Sequence, residues 1–238
     1  MLEALKEDVY KANMRLVESG LVVLTWGNAS GFDPESGLVA IKPSGVDYAA
    51  MKPGDIVLVD LEGRAVEGGL RPSSDTPTHI ELYRSFKGVR GIVHTHSAEA
   101  TAWAQAMREI PCYGTTHADT FRGPVPLTRM LSAGEVAEAY ERNTGRAIIE
   151  LFAEGGLDPL ATPGALVAGH APFVWGASPQ AAADNAIALE QIARMARLAE
   201  QTAGAKPVPR LQAHVADKHY FRKHGKNAYY GQKQGTTT

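Results

Sequence analysis

His94 and His96 are the two residues of this 238-residue chain whose spacing points most directly to chemistry. They follow the apolar run GIV, which is typical of a strand. Residues two apart in a strand point to the same face, so both imidazoles could hold one divalent metal ion. A pair of surface histidines at a strand end is the alternative interpretation, and the pair alone does not decide between the two.

A third histidine, His170, favours the metal. It lies in LVAGHAPFVWG, an apolar segment that we predict to be another strand. Three histidines at strand ends match the zinc sites that use three protein ligands and leave one position open for a substrate. Neutral imidazoles accept several divalent ions, so the sequence leaves the native metal open.

Three turns rich in small polar residues are candidate sites for an anion such as a phosphate. Their members are Gly27 and Asn28, Ser44 and Gly45, and Ser73 and Ser74. The last two precede Asp75 at a predicted helix start, where these side chains could cap the helix or gather donors for an anion. Backbone N–H groups and hydroxyls in such turns bind phosphate, and Lys42 would add a positive charge.

The segments around these residues predict one α/β domain. An amphipathic helix opens the chain, and short apolar runs separated by Gly, Asn, Asp and Pro indicate strands joined by tight turns. Pro77 fits the first turn of one helix, and Ser97 and Ser178 are predicted caps of two others. We expect a mostly antiparallel or mixed sheet with helices on both faces.

Composition excludes several classes of function. The net charge of −2 does not indicate binding to nucleic acid or to an anionic membrane surface. No apolar run approaches the length of a membrane span. The single cysteine, Cys112, cannot form an internal disulfide, so we expect a cytoplasmic protein.

Six segments together carry a family resemblance. They are TWGNAS, IKPSGVDY, PSSDTPTHIELYRSF, GIVHTHSAEATAWAQA, IPCYGTTHADTFRGPVP and DKHYFRKHGKNAYYGQ. With them the chain resembles the L-ribulose-5-phosphate 4-epimerases of the class II aldolase/adducin superfamily. The segments GTTHAD and HGKNAYYGQ separate these epimerases from the aldolases that share the zinc site. The resemblance implies a single domain over residues 1–232, with a disordered tail expected at 233–238.

The resemblance also implies roles for individual residues. The zinc ligands would be His94, His96 and His170, with Asp75 beside or on the metal. Asp119 would be one catalytic acid/base, and Tyr230, expected from a neighbouring subunit, would be the other. The remaining set would bind substrate and its phosphate: Thr25, Gly27, Asn28, Lys42, Ser44, Gly45, Ser73, Ser74 and His219.

The family resemblance further implies a three-layer fold, a homotetramer with active sites between subunits, and a sugar-phosphate substrate. The implied reaction interconverts L-ribulose 5-phosphate and D-xylulose 5-phosphate by breaking and remaking the C3–C4 bond. Two alternatives stay open: an aldolase similar to L-fuculose-phosphate aldolase, and a non-enzymatic domain similar to adducin. The sequence does not decide which catabolic pathway the protein serves.

Overall fold

The computed structural model describes residues 2–67, 69–226 and 228–230. In this part of the chain the strands are β1 Gly27–Asp33, β2 Leu38–Ile41, β3 Val57–Val59, β4 Ala65–Glu67, β5 Gly91–Thr95, β6 Gly164–Leu166 and β7 Pro172–Gly176. The α-helices there are α1 Leu2–Glu18, α2 Thr76–Ser85, α3 Ala98–Gln105, α4 Thr115–Ala118, α5 Ala133–Gly155, α6 Pro179–Ala203 and α7 Ala213–Lys223. The predicted tail at 233–238 falls outside the described residues.

The strands form one seven-stranded sheet in the order β4-β3-β2-β1-β5-β7-β6, and each neighbouring pair is antiparallel. This confirms the predicted mostly antiparallel sheet. In the centre of the sheet, Asn28 of β1 is paired with His94 of β5, which is paired in turn with Phe173 of β7. Directly paired residues present their side chains to the same face, so this register brings an amide beside a candidate metal ligand.

Helices cover both faces of the sheet, as predicted, because successive residues of a buried strand point to opposite sides. On β5, Val93 packs in a core with residues of α1, α3 and α6. Its neighbour Ile92 packs in a second core with residues of α2 and α5. The three layers therefore bury the central strands on both faces, and those strands carry part of the site.

The helix starts confirm one predicted cap and modify another. The Ser178 hydroxyl accepts the N–H of Ala181 at the start of α6. Ser97 does precede α3 but makes no side-chain capping bond. The carboxylate of Glu190 caps that helix instead, accepting the N–H groups of Glu99 and Ala100 at 2.8 and 3.0 Å.

Two predicted strands are wrong. GALVAGHAPFVWG is a hairpin of β6 and β7, and His170 lies in its turn, not on a strand. Gly169, at φ 68°, adopts the left-handed conformation that this tight turn needs. The apolar run LVVL, residues 21–24 before the segment TWGNAS, also predicts a strand. It is irregular instead, since Leu24 has a positive φ of 55°, and the predicted turn residue Gly27 is the first residue of β1.

Candidate active site

The three predicted metal ligands converge. His94 lies on β5, His96 follows that strand, and His170 comes from the β6–β7 turn. Each offers one nitrogen, and these three atoms all lie within 4.8 Å of one another. Within the described residues, this is the cluster of side chains that fits a metal ion.

Hydrogen bonds orient two of the imidazoles. His94 Nδ1 faces the carbonyl oxygen of Pro172 at 2.9 Å, so the proton of a neutral ring sits on Nδ1 and the lone pair on Nε2 points into the cluster. Phe173 stacks on the same ring with 4.2 Å between centroids. His170 Nδ1 lies 3.3 Å from the hydroxyl of Tyr140. These contacts fix the rings before any ion binds.

Burial keeps the cluster neutral. It lowers the pKa of His94 and of His96, with the neighbouring His94 adding to the effect at His96. Burial and the two adjacent imidazoles lower the pKa of His170 to about 4. Metal ions bind imidazole only in its neutral form, so the donor set fits a divalent ion at neutral pH.

Asp75 lies next to the cluster. Its Oδ2 accepts a 2.6 Å hydrogen bond from Asn28 Nδ2. Burial alone would raise the pKa of this carboxyl, but His94, His79 and the bond from Asn28 outweigh it, so the pKa lies below its ordinary value. Among the described residues its oxygens are not part of the three-histidine cluster, so this ionised carboxylate is placed beside the metal position.

The predicted anion turns line the same cavity, which has a volume of about 550 Å³. Two of their N–H groups are already engaged: that of Ser44 with the Arg71 carbonyl and that of Ser73 with the Lys42 carbonyl. Within the described residues, the N–H groups of Gly45 and Ser74 make no hydrogen bond. Two N–H groups and adjacent serine hydroxyls are therefore available to an anion.

Lys42 is the one cation among the described residues that line this cavity. Its ammonium group donates to the carbonyls of Pro43 and Val46 at 3.2 and 2.8 Å, and lies 4.5 Å from the centre of the Tyr48 ring. Burial lowers its pKa, while Asp47 partly restores it. Lys42 thus braces the turn at Ser44 and Gly45 and supplies a positive field there.

Besides Trp26 and Pro43, which adjoin predicted residues, two lining residues were missed by the sequence analysis, Tyr140 and Glu141. Both follow a break in α5, where Ala139 has φ −164° and ψ 77°. Asn143 Nδ2 donates to the Glu135 carbonyl across the break at 2.8 Å. The hydroxyl of Thr78 on α2 donates to the Glu141 carbonyl at 2.6 Å. From the sequence, residues 132–156 are compatible with one helix or with a helix pair, and the second interpretation is the signal that could have located the break.

Three predicted residues lie elsewhere: Asp119, His219 and Tyr230 do not line the cavity of their own chain. Asp119 ends α4, and its carboxylate contacts α7 through His219 at 3.1 Å and through Arg222. Tyr230 is largely exposed and its ring lies beside Arg222. The structure brings these three together as a second cluster.

The comparisons with known proteins agree with this architecture. Residues 7–197 match the family model of the class II aldolase and adducin N-terminal domain. The L-ribulose-5-phosphate 4-epimerases UlaF of Salmonella paratyphi C (strain RKS4594) and Salmonella choleraesuis (strain SC-B67) are each 52% identical over 233 residues, covering 98% of this chain and 100% of theirs.

Solved structures show the same fold. An L-fuculose 1-phosphate aldolase is 26% identical with a TM-score of 0.75, covering 91% of this chain and 94% of its own. The L-fuculose-1-phosphate aldolase of Thermus thermophilus is 25% identical with a TM-score of 0.64, covering 86% of this chain and 98% of its own. In the described part of this chain, no helix combines the length and apolar character that a membrane crossing needs.

Proposed function

The chain belongs to the class II aldolase and adducin family, and from that premise we propose that it is an L-ribulose-5-phosphate 4-epimerase, an isomerase of pentose catabolism. The observation that carries the proposal is one cavity lined both by three converging histidines and by turns in which the N–H groups of Gly45 and Ser74 make no hydrogen bond within the described residues. The name and 52% identity of the Salmonella relatives support the substrate.

The substrate's chemistry explains why the site needs these parts. The C4 hydrogen of a 2-ketopentose is not adjacent to the carbonyl, so simple deprotonation at C4 is slow. Removing the C4 hydroxyl proton instead lets the C3–C4 bond break, giving glycolaldehyde phosphate and the enediolate of dihydroxyacetone. Rotation of the aldehyde, re-addition to its other face and return of a proton invert C4.

The histidine cluster serves the electron-rich fragment. A divalent metal, zinc by our proposal, would be held by His94, His96 and His170 and would supply Lewis acidity next to the negative charge that develops there. Asp75, ionised and tied to Asn28, lines the same cavity and would orient the hydroxyl groups of the substrate.

The anion turns serve the other fragment. We assign the C5 phosphate to the N–H groups of Gly45 and Ser74, the serine hydroxyls beside them and the charge of Lys42. Holding the phosphate keeps glycolaldehyde phosphate in the cavity while its aldehyde turns, which favours re-addition over release. This retention is what separates an epimerase from an aldolase.

The proton transfers require one group on each face of C4. We assign them to Asp119 and Tyr230, both supplied by a neighbouring copy in a homotetramer. Neither residue lines the cavity of its own chain, and both contact Arg222. Their proximity within one chain supports a second half-site that acts on the metal and phosphate half-site of the next subunit. The single cysteine supports a cytoplasmic location.

The direct test is conversion of L-ribulose 5-phosphate to D-xylulose 5-phosphate by the purified, zinc-loaded protein. The second candidate is an aldolase that releases its fragments, favoured by the similarity to L-fuculose 1-phosphate aldolase. Release of dihydroxyacetone and glycolaldehyde phosphate without epimerised product would establish that alternative. The intact histidine cluster argues against a non-enzymatic adducin-like domain, which would show neither activity.

A further inference from the structure

Arg222 touches both of the residues assigned to proton transfer. Its Nε and Nη2 donate to the two carboxylate oxygens of Asp119 at 3.0 and 2.6 Å. Its guanidinium carbon lies 5.0 Å from the centre of the Tyr230 ring. Its backbone carbonyl accepts the N–H groups of Tyr229 and Tyr230, both at 2.9 Å.

The other groups around Asp119 make less specific contacts. From α7, His219 Nδ1 lies 3.1 Å and Lys223 Nζ 3.3 Å from the carboxylate, and His224 Nε2 faces the Asp119 carbonyl at 2.9 Å. A lysine is a mobile point charge, whereas a guanidinium fork fixes the plane of a carboxylate. Lys223 also reaches both residues, since its ammonium group lies 4.6 Å from the centre of the Tyr230 ring. Among the described residues, however, only Arg222 combines the fork with backbone contacts to the tyrosine segment.

We infer that Arg222 is a positioning residue that holds the Asp119 carboxylate and the Tyr230 phenol in one rigid unit, so that both enter the neighbouring subunit's cavity at a fixed spacing. The inference rests on the proposed function, because it requires these two groups to transfer the protons. The reaction demands such a spacing, since the two groups must face opposite sides of C4 in a single bound geometry.

We call the contacts of Arg222 with Asp119 and Tyr230 the clamp. The clamp also affects the pKa of the Asp119 carboxyl. Burial would raise the pKa of this carboxyl, but hydrogen bonds from Arg222 and His219 and the charge of Lys223 outweigh it and hold the pKa below its ordinary value. In the direction of reaction where Asp119 takes up the proton, activity is lost as the pH falls through that pKa. Without the guanidinium, the pKa rises and this loss begins at a higher pH.

The test compares pH profiles of kcat in both directions for Arg222→Ala, Arg222→Lys and Asp119→Asn. We expect Arg222→Ala to lower kcat about 10- to 100-fold, the scale of a mispositioned catalytic group. It should also shift the acid limb, which is the fall of kcat at low pH, to a higher pH in the direction of reaction in which Asp119 takes up the proton. The zinc content should stay unchanged. Arg222→Lys keeps the charge without the fork, so its acid limb should stay near that of the wild type while kcat recovers only in part.

Lys218→Ala is the matched control. Lys218 lies on the same helix and its ammonium group lies 5.0 Å from the centre of the Tyr229 ring, but it does not contact the Asp119 carboxylate. Removing its charge should change neither kcat nor the acid limb. A shift as large as that of Arg222→Ala would mean that general loss of charge is responsible and would overturn the clamp.

The two proposals fail separately. If Arg222→Ala has the kcat and the acid limb of the wild type while Asp119→Asn is inactive, the clamp is overturned and the proposed function stands. A fully active Asp119→Asn overturns both the clamp and the assignment of Asp119. If Arg222→Ala does not fold, the Arg222→Lys protein decides: a reduced kcat with full zinc content supports the clamp, and an unchanged kcat overturns it.

Discussion

The Nε2 atoms of His94 and His96 lie 3.2 Å apart. Two nitrogens bound to one tetrahedral zinc ion at ~2.0–2.1 Å are separated by about 3.3 Å. Because the Nδ1 of His94 faces a carbonyl oxygen, its lone pair is on Nε2 and points at the second ring. The spacing therefore matches two ligands of one ion.

We expect His94→Asn to abolish stable metal binding. The amide is shorter than the imidazole and leaves two ligands on less rigid segments. Loss of groups that merely orient a ligand costs about 10- to 100-fold in affinity, so loss of the ligand itself should exceed about 100-fold. The measurement is metal content by elemental analysis after dialysis, together with zinc affinity by competition with a chelator.

The control for this change is His214→Asn on the exposed face of α7. It removes an imidazole of the same size that neither lines the cavity nor belongs to the cluster, and it should leave zinc content at the wild-type level. Full zinc occupancy in His94→Asn would contradict the three-histidine site.

Gly45→Ala should separate backbone strain from anion binding. Gly45 has φ 68°, and a methyl group there would meet no atom within 4 Å, so the cost is conformational, about 1–2 kcal/mol of unfolding free energy. The strained turn should also misplace the Gly45 N–H and raise KM for the sugar phosphate by roughly tenfold, about 1.4 kcal/mol of binding.

Gly37→Ala is the paired control, since Gly37 has φ 71°, an equally open surrounding and a position in the β1–β2 turn outside the cavity. Urea unfolding and steady-state kinetics should show a similar loss of stability in both variants and a raised KM only in Gly45→Ala. Equal KM values would place the phosphate elsewhere.

The metal-free protein should lose stability as the pH falls from about 6.5 toward 4. Burial lowers the pKa of His117 to about 4, although its bond to the Gly123 carbonyl partly offsets this. The unfolded chain, with an ordinary histidine pKa near 6.5, binds more protons across that window, so acid favours unfolding. Each such group contributes a slope of about 1.4 kcal/mol per pH unit.

His117→Gln checks the assignment. Glutamine can still donate to the Gly123 carbonyl but cannot titrate, so the dependence of unfolding free energy on pH should become shallower between pH 6.5 and 4. Urea unfolding of the metal-free proteins at several pH values measures the slope. His214→Gln, on an exposed histidine, should leave the slope unchanged, and equal slopes in all three proteins would exclude His117 as the cause.

Mixed tetramers should reveal how the site is divided. If Asp119 and Tyr230 act together from one subunit, refolding Asp119→Asn with His170→Ala should restore activity, because roughly a quarter of randomly formed sites combine two intact halves. Mixing Asp119→Asn with Tyr230→Phe should restore none, since both changes fall in the same half. Activity is measured on tetramers whose composition has been confirmed by mass.

The reverse result would be equally informative. Recovery in the Asp119→Asn and Tyr230→Phe mixture would show that these two groups reach a site from different subunits. No recovery in either mixture would confine each site to one chain.

Local patterns predicted much of this molecule. The structure brings His94, His96 and the small-residue segments together around one cavity, because the patterns that singled them out depend on geometry close in sequence. The pattern of apolar segments also gave a largely antiparallel sheet with helices on both faces. His170 reached the cluster although its strand assignment was wrong, since a hairpin turn can bring it there equally well.

The remaining features depend on contacts between distant residues. Arg222 lies 103 positions from Asp119 in the sequence. It is one of several basic residues in DKHYFRKHGK, and the sequence does not show which carboxylate each of them binds. Tyr140 reaches the cavity because of a helix break whose stabilising partner, Asn143, resembles any polar helix residue in sequence. The capping of α3 by Glu190 of α6 could not be predicted either, because the two segments are distant in sequence.

The break at Ala139 also has a consequence for how the surface of this scaffold can vary. It divides α5 into a largely exposed first part, residues 133–139, and a second part anchored to α2, where Gly145 leaves no room for a Cβ against Glu81. Because Asn143 satisfies the backbone at the junction, the first part can vary in sequence at little cost to the core. Sequence changes confined to residues 133–139 would leave Tyr140 and Glu141 in place, because Thr78 of α2 holds the Glu141 carbonyl, which makes this segment a natural place for the enzyme to vary its surface while the cavity stays intact.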